Sequence, residues 1–150
     1  MINAQLKQQE TKAKLGHSIN FPKGLIGFDG LSGFTLEPLF ADKSTDLPFL
    51  RLQAKGQTTN FIVMPMGNPF GDEEPTPYMP EEIEPHLELL KVEKNKFSMF
   101  ALVAIKNNKD DVSVTANLRA PVIVDFESMN AWQIILDNKA YDIAYKLNVD

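Results

Sequence analysis

Residues 112–125 constrain the fold more than any other stretch. Val112, Val114, Ala116 and Leu118 alternate with Ser113, Thr115, Asn117 and Arg119. That period of two marks a strand with one apolar and one polar face. Pro121 follows and has no N–H to give to a ladder. Val122, Ile123 and Val124 then form a short unbroken apolar run. The expectation is strand, kink, strand, with Asn117 and Arg119 on the wet face beside the kink. No nucleophile, base or metal-ligand cluster sits there. Polar groups held on a rigid edge without chemistry point to a surface that holds another protein. The alternative for Asn117 is a hydrogen bond that closes the kink itself.

The rest of the chain reads as further short strands. Residues 11–19 are expected to form a first edge strand. Phe21-Pro22-Lys23-Gly24-Leu25-Ile26-Gly27-Phe28 is a turn-rich block, because proline and two glycines admit backbone shapes that other residues resist. Phe34, Leu36 and Leu39 begin a second strand region, Phe49, Leu50 and Leu52 a third, and Phe61-Ile62-Val63-Met64 a buried one. Asn68-Pro69-Phe70-Gly71 breaks the pattern. Ile83, Leu87 and Leu90 are spaced i, i+4, i+7, as on one face of a short helix. Pro85 is expected to open the second of two short turns there, since it does not fit deep inside a helix. Residues 97–105 are the longest apolar run and read as a central strand. Residues 107–111 have hairpin-turn composition. Two further strands are expected over 132–136 and 141–147, with Trp132 in the core. Short, closely spaced strands with little helix predict a mainly β fold. The specific expectation is a small antiparallel β-barrel or sandwich, with one or two short helices capping an open end, in one domain over residues 1–150.

The net charge of −5 and the pI of about 5.0 disfavour direct binding to nucleic acid. An acidic body suits a basic protein partner, or solubility alone. The chain has no cysteine, which excludes disulfides, thiolate catalysis and cysteine-bound zinc. The first ten residues are polar and lack the apolar core of a signal peptide. No apolar run approaches the roughly 20 residues that span a bilayer. The expectation is a cytoplasmic protein without membrane contact.

Reactive constellations are scarce. His17 and His86 are the only histidines, and they fall on separate expected elements, a strand and a helix. The acids Asp72, Glu73, Glu74, Glu81, Glu82 and Glu84 lack the spacing of a calcium loop. They read as a solvated charge run, or as a means of steering a basic partner. Gly24 and Gly27 do not have phosphate-loop spacing and read as turn glycines. Phe21, Ile26 and Phe28 read as core, or as apolar anchors stranded at the surface of a partner-binding loop. No catalytic residue, metal or cofactor is assigned. A small ligand-binding barrel enzyme and a self-assembling β protein stay open as alternatives.

Three blocks of this chain resemble the FliW family of flagellar assembly factors. The first is the stretch from Phe21 to Phe28, where the family shows Phe-Pro-x-Gly-x-x-Gly-Phe. The second is Pro48-Phe49-Leu50-Arg51-Leu52-Gln53 followed by Phe61-Ile62-Val63. The third and most specific runs from Thr115 to Val124, followed by Gln133-Ile134-Ile135-Leu136 and Tyr141. The likeness spans about residues 19–147. It implies a cytoplasmic, non-enzymatic, barrel-like protein that binds flagellin before export. It also implies binding of the RNA-binding regulator CsrA, relieving CsrA repression of flagellin translation. Two patches are expected to bind partners: Asn117, Leu118, Ala120 and Pro121 at the kink, and Phe21, Gly24, Ile26, Gly27 and Phe28 in the turn block. Asp72, Glu73 and Glu74 form a third candidate, in a segment where the chain departs from the family pattern. Their expected role is to repel RNA from a bound regulator without filling its RNA site.

Overall fold

The computed structural model describes residues 16–28, 30–38, 49–71 and 76–147. Residues 11–15 of the expected first strand, Leu39, and the candidate acids Asp72, Glu73 and Glu74 lie outside the described residues. In chain order the elements are β1 (Ser18–Asn20), β2 (Gly33–Pro38), β3 (Leu50–Ala54), β4 (Asn60–Pro65), α1 (Pro80–Leu90), β5 (Phe97–Asn108), β6 (Asp111–Asp125), β7 (Asn130–Gln133) and β8 (Tyr145–Lys146).

The longest strands, β5 and β6, form one hairpin closed at residues 109–110, where Asn108 pairs with Asp111. The sheet runs β5-β4-β3-β2-β1-β7-β6, and β6 returns to β5, so these strands close into a barrel. Strand β8 lies outside the ring and, among the described residues, pairs with β6 alone. Every neighbouring pair is antiparallel except β1 and β7, which meet in parallel through the single pair Asn20 and Asn130. The fold is therefore a closed barrel rather than a sandwich.

Two apolar cores share β5 and β6. Phe21, Phe34, Leu36, Leu52, Val63, Phe100, Val122 and Val124 fill the barrel. Phe97, Met99, Ala101, Ala116, Leu118 and Ile123 point the other way and meet Ile83 and Leu87 of α1, with Tyr78, Ile134, Leu136 and Tyr141. Adjacent residues of β6 thus enter different cores. That is why 122–124 reads as an unbroken apolar run: both faces are covered. The helix lies against the outer face of β5 and β6 instead of capping an open end. Trp132 is half-buried against this second core.

Three element expectations are corrected. The strand expected over 132–136 is β7 at Asn130–Gln133 and stops before 134–136. Residues 80–90 form one helix with Pro85 inside it, not two turns. Pro80 fits the first helical position, where an N–H has no intrahelical partner anyway. Pro85 gives up the bond to the Glu81 carbonyl, yet burial of Ile83 and Leu87 holds the helix together. Residues 141–147 were expected as a strand, but only Tyr145 and Lys146 pair. The segment before them turns instead. Asn138 Oδ1 accepts from the Ala140 N–H at 2.9 Å, and Asp142 Oδ1 from the Ala144 N–H at 3.0 Å.

Candidate protein-binding surface

The kink in β6 is a wide bulge. Leu102 pairs with Asn117 and Phe100 with Val122, so Ala101 alone faces residues 118–121. Their backbone groups find partners one by one. The Asn117 amide oxygen accepts from the N–H groups of Arg119 (3.1 Å) and Ala120 (3.2 Å). The Leu118 N–H donates to the Asp142 carbonyl at 2.9 Å, and the Leu118 carbonyl accepts from the Tyr78 hydroxyl at 2.9 Å. The Arg119 carbonyl accepts from Leu136 N–H, the Pro121 carbonyl from Ile134 N–H, and the Ala120 carbonyl from Gln133 Nε2. Pro121 supplies no N–H, so the irregularity leaves no orphan here.

This accounting changes how the patch works. Leu118, Ala120 and Pro121 are buried and Asn117 is half-buried. Arg119 is half-buried and its guanidinium is engaged: its Nε donates to the Tyr141 carbonyl at 2.9 Å and its Nη2 to the Lys139 carbonyl at 3.0 Å. The bulge offers no open strand edge for a partner. The expectation that Asn117 closes the kink describes its observed bonds. Tyr78 and Tyr141 stack at 5.3 Å between ring centroids, and the Tyr141 hydroxyl accepts from the Met79 N–H at the start of α1. Burial pushes the Tyr78 phenol well above its usual range, and the neighbouring Tyr141 adds to that.

The turn block divides into an anchor and an exposed tip. Phe21 is fully buried, edge-on to Phe34 at 5.1 Å, so it does not form part of a contact surface. Gly24 and Gly27 adopt positive φ, 69° and 86°, conformations that side-chain-bearing residues adopt only with strain. These turns drive Leu25 inward and leave Ile26 53% and Phe28 44% exposed. The Phe28 ring stands edge-on to Phe61 at 5.0 Å, which fixes it in place.

Gln133 joins the two patches. Its Oε1 accepts from the Ile26 N–H at 3.0 Å and its Nε2 donates to the Ala120 carbonyl at 3.1 Å. Ile135, two residues further on, is also exposed. The candidate surface is thus the exposed tip at Ile26 and Phe28, clamped through one amide to a fully bonded bulge. Sequence reasoning on the residues missed Gln133 as the link. Its signal was a lone polar side chain within Ala131-Trp132-Gln133-Ile134-Ile135. Among the described residues no group of three His, Asp or Glu side chains is placed to hold a metal ion, and no helix is long and apolar enough to cross a membrane.

Fold and site together define a small closed β-barrel with a helix on its flank, whose candidate site is a braced apolar surface. The chain belongs to the FliW family, whose profile, described as FliW protein, matches residues 3–147. It is 34% identical over 142 residues to the "Flagellar assembly factor FliW" of Bacillus pumilus, covering 93% of this chain and 91% of that one. It is 32% identical over 130 residues to the protein of the same name from Lachnospira eligens, covering 86% and 82%. A solved structure titled "Crystal structure of the flagellar assembly factor FliW" shares the fold, with a TM-score of 0.60 at 20% identity over 89% of this chain and 86% of that one.

Proposed function

We propose that this protein is a non-enzymatic, cytoplasmic flagellar assembly factor that exchanges two partners, flagellin and a CsrA-type RNA-binding regulator. Flagellin occupies it before export. Once export drains flagellin, the freed protein captures the regulator and relieves its repression of flagellin translation. The observation that carries this reading is membership of a family whose members are named for flagellar assembly. The surface at Ile26 and Phe28 supports it, because apolar side chains held in fixed positions bind at low ordering cost.

Capture of purified flagellin and of the regulator on immobilised protein tests the proposal. Both should be retained, and each should displace the other. Ile26→Glu should weaken retention of at least one by tenfold or more with an unchanged unfolding midpoint, in keeping with the loss of an interface anchor. Retention of neither partner by the unmodified protein sinks the reading. The acidic segment has its own check: neutralising Asp72, Glu73 and Glu74 should weaken antagonism in RNA competition at low salt. Unchanged competition removes that segment from the mechanism.

A further inference from the structure

We propose that the protruding edge of the β5–β6 hairpin accepts an extended segment of a protein partner whose residues alternate apolar and acidic. The β4 ladder on β5 ends at the pair Ile62 and Val103. Strand β5 runs on to Asn108, paired from there, among the described residues, with β6 alone. Along residues 104–108 no described residue pairs with its second edge, and residues 104–107 are exposed. An edge of this kind presents unpaired N–H and C=O groups to an incoming strand.

The two faces of the protruding segment differ. Ile105 pairs with Val114, so it shares a face with Val112, Val114 and, through the pair Ala116 and Tyr145, with Tyr145. On that face Ile105 is 47% and Val112 54% exposed. It continues the face that α1 covers lower down, at Ala101 and Ala116. The opposite face of the segment carries Lys106, the only charged residue of β5. Lys106 makes no ion pair with another described residue. The nearest acids in sequence, Asp110 and Asp111, belong to the turn and to β6, away from the open edge.

A strand laid beside β5 sends alternate side chains to the two faces. One set lands on Ile105, where apolar groups are favoured. The other lands beside Lys106, where a carboxylate is favoured as a cross-strand partner. The chemistry of the occupant follows from these two neighbours. This inference is independent of the flagellar reading, since synthetic peptides test it whether or not flagellin or the regulator is captured.

The experiment is an NMR titration of the whole chain with a capped hexapeptide alternating valine and glutamate, beside its counterpart with lysine for glutamate. The glutamate peptide should shift amides at 104–108 saturably and slow their exchange. The lysine peptide should bind about threefold or more weakly. Lys106→Glu, a change at an exposed site, should reverse that order. Absence of localised shifts with either peptide at millimolar concentration overturns the proposal; Lys106 then only guards the edge against unwanted pairing. Equal binding of both peptides, or an order that Lys106→Glu leaves unchanged, overturns it as well. So does a light-scattering mass of two chains with the same amides protected before peptide is added, because the edge is then occupied by a second copy.

Discussion

At the bulge, one amide oxygen supplies what β5 cannot: an acceptor for the N–H groups of Arg119 and Ala120. Asn117→Ala leaves both donors in a half-buried setting and should lower stability by about 1–3 kcal/mol, as for other stranded polar groups. Asn117→Asp keeps the acceptor and should recover most of it; denaturant unfolding of the pair checks this. Tyr78 is the second point of failure. Its hydroxyl donates to the Leu118 carbonyl, so Tyr78→Phe should cost about 1–3 kcal/mol near neutral pH. The phenols of Tyr78 and Tyr141 are both raised, by burial first. In the folded chain they keep their protons after the unfolded chain begins to release them near the ordinary value of 10.0. Their contribution is therefore complete below that pH and is lost as pH climbs toward the folded values. Unfolding midpoints measured from pH 9 to 11 should fall with pH, and less steeply in Tyr78→Phe. An equal slope in both would separate Tyr78 from the alkaline loss.

Among the elements, α1 tolerates a proline that its own hydrogen bonds argue against. Pro85→Ala restores a donor to the Glu81 carbonyl, and should raise stability by about 1–2 kcal/mol once the gain in unfolded-chain freedom is set against it. A lower unfolding midpoint would mean that Pro85 is fixed by packing instead. The helix was legible from Ile83, Leu87 and Leu90, since spacing alone defines a buried stripe. Its unity was not, because local rules forbid Pro85 and only tertiary burial overrides them. The kink at Asn117 and Pro121 was legible because proline removes a donor at a fixed place. The hairpin turn was legible for a similar reason: polar residues interrupt two apolar runs. The failure of 141–147 as a strand was not legible. Besides the turns there, Arg119 reaches the Tyr141 carbonyl in that segment and the Lys139 carbonyl just ahead of it, contacts without local signature. Of the candidate site, Ile26 and Phe28 proved exposed while Phe21 proved buried. All three are apolar, and only the turn geometry separates them.

Across the molecule, the ring is sealed unevenly. Strands β5 and β6 pair along most of their length, whereas β1 and β7 meet at one residue pair, with the Asn20 N–H donating to the Met129 carbonyl at 2.9 Å. Local opening should begin at that seam. Hydrogen exchange should therefore be much faster at Asn20 than at Val103, which pairs with strands on both sides. Equal protection would mean that the barrel opens only as a whole. The bulge has a different consequence, one of phase. It sets four residues of β6 against one of β5, a surplus of three, which is odd. Even-numbered side chains such as Val122 and Val124 enter the barrel after it, while even-numbered Ala116 before it faces the helix. Shortening this stretch by a single residue would turn the upstream half of the strand inside out. Removing two would preserve the orientation, so tolerated changes of length at this point should come in pairs.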